Sequence, residues 1–119
     1  TTPRDRIHYG VSKSALIAFA RGLAERARGT HVTSNSIIVG MTMTEIVEKE
    51  IEAAAREQGI TPLEMQRQAA AHHRPTQLLE RLALPEEVAN MVMYVASPQS
   101  SATTGAALRV EGGGISSML

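Results

Sequence analysis

From Tyr9 to Arg28 the apolar residues fall at steps of three and four: Val11, Ala15, Leu16, Phe19, Leu23 and Ala27. That period predicts an amphipathic helix, with Gly29 as its stop. Ala20 and Ala24 widen the stripe with small side chains, which let another helix approach closely. Arg21, Glu25, Arg26 and Arg28 form its solvated face. The period then changes. His31 to Ile38 carries the β-branched residues Val32, Thr33, Ile37 and Ile38 and predicts a strand, although its middle, Ser34-Asn35-Ser36, is polar for a buried one. Val39-Gly40-Met41-Thr42-Met43-Thr44 is the loop that leaves it.

Glu45 to Gln58, rich in Glu, Ala, Lys and Arg, predicts a helix closed by Gly59. Thr61-Pro62-Leu63-Glu64 has the spacing of a capping box, with proline in the first turn, and opens a helix to about Ala71. His72-His73-Arg74-Pro75-Thr76 breaks that helix, and a turn spans Gln77 to Arg81. Pro85-Glu86-Glu87 opens a further helix, its carboxylates at the favourable end of the helix dipole. Val88, Met91, Val92 and Val95 are its expected buried face, and Ser97-Pro98 its end. Gly105 to Val110 reads as a second strand, Glu111-Gly112-Gly113-Gly114 as a turn and Ile115 to Leu119 as a tail, while residues 1–8 read as an entering loop.

Helix between two strands is the mark of a parallel crossover, hence of the α/β class. Two strands alone make no stable buried sheet, so the pattern describes part of a larger α/β domain. Composition narrows the partners. Lysine plus arginine equals aspartate plus glutamate at 12 each over 119 residues, so no strong field draws nucleic acid or an anionic membrane. With no cysteine there is neither a disulfide frame nor a thiolate metal site. His72-His73 lacks completing ligands, and adjacent histidines at a helix end are expected to point apart, so no metal site is expected. No apolar run approaches a membrane span. The opening Thr1-Thr2-Pro3-Arg4-Asp5 does not read as a signal peptide, and a soluble cytoplasmic protein is the expectation.

The chemistry centres on Tyr9-Gly10-Val11-Ser12-Lys13. A spacing of four places the Tyr9 phenol and the Lys13 ammonium one turn apart on the same helix face. A nearby cation favours the phenolate, and a tyrosine so tuned can exchange a proton with a carbonyl or carbinol oxygen. Tyr-x-x-x-Lys alone also occurs as an ordinary helix surface.

Here three further stretches accompany it: the apolar run after Lys13, Val32 to Thr44, and Arg81 to Gly114. In that order the chain resembles the C-terminal half of the short-chain dehydrogenase/reductase family. The resemblance implies the C-terminal part of a Rossmann-like, doubly wound parallel sheet with flanking helices: active-site helix at 1–30, strand and cofactor loop at 31–44, substrate lid at 45–84, last helix and strand at 85–119. It implies Tyr9 as acid/base, and Lys13 as the group that holds the nicotinamide ribose. Ser12 and Ala15 match the small residues around that pair, and Asn35 an asparagine of the next strand. The resemblance assigns Val39, Gly40, Thr42 and Thr44 to cofactor binding, with Val39 where proline is usual and Glu111 where aspartate is usual. Without it, Thr42 and Thr44 read as a plain strand-to-helix loop with a capping threonine. Met41, Met43 and Met65 fit an apolar pocket or core filling equally.

The implied function is hydride transfer between NAD or NADP and a small alcohol or ketone, in a homodimer or homotetramer paired through the Tyr9 helix. The family's glycine-rich phosphate loop and its serine precede the tyrosine by more than the eight residues found here. The 119 residues alone are therefore expected to bind dinucleotide poorly and not to turn over. The contrasting expectation is a silent, oligomerising fragment.

Overall fold

A computed structural model describes residues 4–116; the outermost residues of the expected entering loop and tail lie outside them. The chain divides into two compact units, residues 1–37 with 92–108 and residues 38–91 with 109–119.

In the first unit a single 3-10 turn, Arg4–Arg6, leads into α1, Ile7–Arg26. The Ala27 N–H closes the last turn on the Leu23 carbonyl at 3.0 Å, and Gly29 then takes φ +78°, a left-handed conformation that suits glycine at a helix exit. The small residues Ala20, Ala24 and Ala27 are half-buried, whereas Val11, Leu16, Phe19 and Leu23 are exposed. The small-residue stripe expected to receive another helix is thus partly covered by the chain's own next segment: the Ser34 hydroxyl donates to the Ala20 carbonyl at 2.9 Å.

β1 spans Ser36–Val39 and not the longer run from His31. The polar residues explain the late start. Ser34 accepts Gly105 N–H on its carbonyl at 2.7 Å, and its own N–H donates to the Thr104 hydroxyl at 3.2 Å. Asn35 donates from Nδ2 to the Thr103 carbonyl at 2.8 Å and accepts the Ala106 N–H on Oδ1 at 3.1 Å. Side chains here do what a ladder does further on, which is how Asn and Ser compete with regular structure. β2 is Ala107–Val110. It begins two residues later than expected because Gly105 takes φ +68°, outside the β region. Ser36 N–H donates to Ala106 O and Gly40 N–H to Val110 O, both at 2.9 Å. The partner numbers rise together, so the two-stranded sheet is parallel.

The second unit holds two helices placed as the sequence predicts. α2 is Glu45–Gln58, capped by Thr44, whose hydroxyl accepts the Val47 N–H at 3.4 Å. Gly59 ends it at φ +67°, and Ile60 N–H reaches back to Ala55 O at 3.1 Å. α3 is Pro62–His73, two residues longer than expected, with the Thr61 hydroxyl accepting Glu64 N–H at 3.2 Å. The two helices pack together, burying Ile51, Ala55 and Ala70.

α4, Pro85–Val95, crosses the boundary between the units. Val88, Met91 and Val95 are half-buried, but Val92 is 46% exposed, so the expected buried face is narrower by one residue. Its first turn is built on Glu87. Both carboxylate oxygens receive the Arg81 guanidinium, at 2.7 and 2.8 Å, and Oε2 also accepts Leu84 N–H at 2.8 Å. The Arg81 hydrogen bonds, then the Leu84 N–H, hold the Glu87 carboxyl down at about 2. Among the described residues no helix is long and apolar enough to cross a membrane.

Candidate active site

Two groups of residues carry the expected chemistry, one in each unit. In the first, α1 brings Tyr9 and Lys13 together. The Lys13 Nζ lies 5.3 Å from the centroid of the Tyr9 ring, and the Ser12 hydroxyl is turned back to the Tyr9 carbonyl at 2.8 Å. At that distance the ammonium interacts with the ring face as a cation–π pair. Spacings of four, seven and four put Tyr9, Lys13, Ala20 and Ala24 on one side of the helix. The pair therefore shares a face with the residues that lie against the body of the unit. Tyr9 is nonetheless 56% exposed.

In the second unit, the loop after β1 is held by backbone pairing rather than by its own side chains. Thr42 forms a parallel bridge with Ala83: Met43 N–H donates to Ala83 O at 2.8 Å and Ala83 N–H to Met41 O at 2.9 Å. The Thr42 hydroxyl donates to the Gly40 carbonyl at 3.2 Å. Thr44, as the α2 cap, uses one lone pair and keeps its O–H free to donate. Gly40 is required by space. A Cβ there would stand 2.7 Å from Glu111 Cα and 2.9 Å from its Cβ. Val39, where the sequence departs from the proline pattern, is 47% exposed.

Met41 lines a cleft of about 100 Å³ at the end of β1, together with Arg74, Gln77 and Glu111. Met43 lines a separate groove of about 230 Å³ with Ile51, Pro62 and Leu63, between α2 and α3. Met65 is half-buried. The two histidines closing α3 do not point apart as expected: their rings meet edge to face with centroids 5.0 Å apart. Among the described residues no cluster of three or more His, Asp or Glu could hold a metal ion. The residue that sequence reasoning passed over is Gln77. It is read from the chain as a turn residue, and in the structure it is buried at 7% exposure. Nothing in its neighbourhood in sequence signals this, because the glycine that makes room for it, Gly112, lies 35 positions away.

Residues 2–114 match the model of a family described as enoyl-(acyl carrier protein) reductase. The uncharacterized oxidoreductase YvrD of Bacillus subtilis (strain 168) is 43% identical over 112 residues, covering 94% of this chain and 43% of the relative. The uncharacterized oxidoreductase YvaG of the same organism is 39% identical over 110 residues, covering 92% and 42%. Among solved structures, L-sorbose reductase from Gluconobacter frateurii, complexed with NADPH and L-sorbose, superposes with a TM-score of 0.74 at 27% identity, over 92% of this chain and 41% of that one. The chain spans about two fifths of the length of the curated relatives it matches. It belongs to the short-chain dehydrogenase/reductase family, and its parallel α/β architecture is the Rossmann-like fold of that family.

Proposed function

We propose that this member of the short-chain dehydrogenase/reductase family works in an NAD- or NADP-dependent oxidoreductase that interconverts a small alcohol and its ketone. The observation that carries the reading is the Tyr9–Lys13 pair, one helical turn apart with the ammonium 5.3 Å from the ring centroid. Each group of donors, taken by itself, suits a part of a nicotinamide nucleoside. Lys13 offers an ammonium to ribose hydroxyls, and the free O–H of Thr44, with the polar backbone of Val39, Gly40 and Thr42, offers partners to a carboxamide. NADPH in the complexed L-sorbose reductase supports that choice of cofactor class. A bound nicotinamide supplies or accepts the hydride.

The chain's own groups then handle the proton. In reduction the Tyr9 O–H donates to the substrate oxygen as it gains negative charge, and in oxidation the same oxygen takes the proton back. The Lys13 ammonium steadies the negative phenolic oxygen left by the first step. The α2–α3 segment is the substrate lid, with Met43, Ile51 and Leu63 as its apolar lining. Pairing of subunits through the exposed face of α1, where Val11, Leu16 and Phe19 present apolar surface, gives a homodimer or homotetramer. The setting is cytoplasmic.

The test is Tyr9→Phe in the cofactor-binding holoenzyme. Loss of a positioned acid/base lowers kcat by about 10²–10⁴-fold, while nicotinamide affinity changes less than about twofold, since the hydroxyl contributes little to ground-state binding. Turnover near that of the wild type removes Tyr9 from the proton-transfer role.

A further inference from the structure

We propose that Gln77 is a positioning residue for the loop Met41–Thr44, acting through the segment Arg81–Ala83; this rests on reading that loop as the nicotinamide loop. Gln77 is 93% buried, and its Nε2 donates to the Arg81 carbonyl at 2.6 Å. Two residues further on, Ala83 exchanges hydrogen bonds with Met41 and Met43 on either side of Thr42. One buried amide thus holds the start of a three-residue segment whose end sets the height of the loop.

Three independent features say that the amide is kept for this donor. Its other end, Oε1, is buried with no partner among the described residues, so the Arg81 carbonyl is the protein partner that the buried amide uses. Glu80, the described non-glycine residue with positive φ, stands at +51° immediately before Arg81. A left-handed turn of that kind persists where its surroundings hold it. Gly112, at φ +67°, is the residue against which Gln77 packs: a Cβ there would meet Nε2 at 2.5 Å. Helix propensity, capping or apolar burial explains none of these, whereas an amide kept for its bond to the Arg81 carbonyl is in keeping with each.

The chain of contacts is local. It runs through no catalytic group, and a generic stabilising role would leave a different trace. The experiment is native-state amide exchange by NMR on wild type and Gln77→Met, a side chain of similar length without the donor. Expected is exchange about tenfold faster or more at Met43 and Ala83, with Ser36, bonded to Ala106, changed by less than about twofold. Equal acceleration at all three sites, or none, overturns the positioning role. A measurement that needs no variant guards against a substitution that fails to fold: one side-chain N–H of Gln77 in wild type exchanges at least about tenfold more slowly than those of exposed glutamines such as Gln58 and Gln68. Free exchange there overturns the proposal.

Titration of the cofactor-binding holoenzyme with NADPH separates it from the reading beneath it. If the Met41–Thr44 signals shift in wild type, and do so at about tenfold higher NADPH in Gln77→Met, both stand. If they are unmoved by NADPH in wild type while the exchange pattern holds, the nicotinamide assignment of the loop is what fails.

Discussion

Asn35→Ala removes the bracket that starts the sheet. The Asn35 amide donates to Thr103 O at 2.8 Å and accepts from Ala106 N–H at 3.1 Å, across 68 and 71 residues of sequence. It therefore joins two chain segments that are far apart in sequence. A hydrogen bond of this type contributes about 1 kcal/mol net, and a donor or acceptor left without a partner in a part-buried site adds to that, so truncation costs about 2–3 kcal/mol. Against the roughly 5–15 kcal/mol typical of a folded domain, that is a large part. At about 4 °C per kcal/mol it lowers Tm by roughly 10 °C.

Asn35→Asp distinguishes the two bonds. It keeps the acceptor for Ala106 N–H and faces the Thr103 carbonyl with a carboxylate at neutral pH, so it costs at least as much as alanine. Urea unfolding followed by circular dichroism gives the difference in midpoint, with an unchanged slope showing that the same surface is exposed. A loss under about 0.5 kcal/mol for Asn35→Ala would mean that the ladder from Ser36 onward suffices alone, and that the polar run is incidental.

Gly40→Ala places a methyl 2.7 Å from Glu111 Cα, a backbone atom that cannot swing aside. A cost of about 1–3 kcal/mol is expected from thermal melts, and a neutral result shows that the β1 exit is looser than its contacts imply. Glu87, held at about 2 by Arg81 and Leu84, contributes stability that is full above the ordinary carboxylate range near pH 4.5 and is lost as pH falls toward 2. Urea midpoints at pH 6 and pH 3 should therefore fall further in wild type than in Glu87→Gln; equal falls would unseat the pair as the source. Phe19→Glu puts a charge on the exposed apolar face of α1. If subunits pair through this face as proposed, sedimentation velocity should show a smaller species than wild type, and an unchanged distribution counts against pairing there.

Most of the helical framework was legible because its signals are local. Thr44, Gly59 and Thr61 stand at the caps their residue types prescribe, and α2 keeps the bounds its composition suggests. The strands were less legible at their starts. Propensity favours Val32 and Thr33 as strand, but the hydrogen bonds of Ser34 and Asn35 to residues some 70 positions away take over, and no window of sequence holds that information. The same limit hid Gln77, buried only because Gly112 leaves it room. Of the candidate site, the Tyr9–Lys13 pair follows from spacing alone. The setting of Thr42 follows from its pairing with Ala83, which spacing does not reveal.

The helix that bears the pair shows how one sequence stripe can serve two surfaces. Read as a period, the apolar residues of α1 look like a single buried face, yet none of its residues is fully buried. Ala20 and Ala24, with almost no side chain to order, lie where the Ser34 hydroxyl reaches the helix backbone. Val11 and Phe19, each 65% exposed, turn outward, where their burial would be worth most to a partner surface, on the order of 1.5–3 kcal/mol per side chain. Tyr9 and Lys13 sit on the alanine side. A substitution at Phe19 should therefore change the assembly proposed for this face and leave the geometry of the pair intact, whereas one at Ala20 or Ala24, which pushes the helix off its own unit, should move Tyr9 and Lys13 together. Ala24→Leu with wild-type turnover in the proposed holoenzyme and an unchanged sedimentation profile would show that the inner face is not what sets the position of the pair.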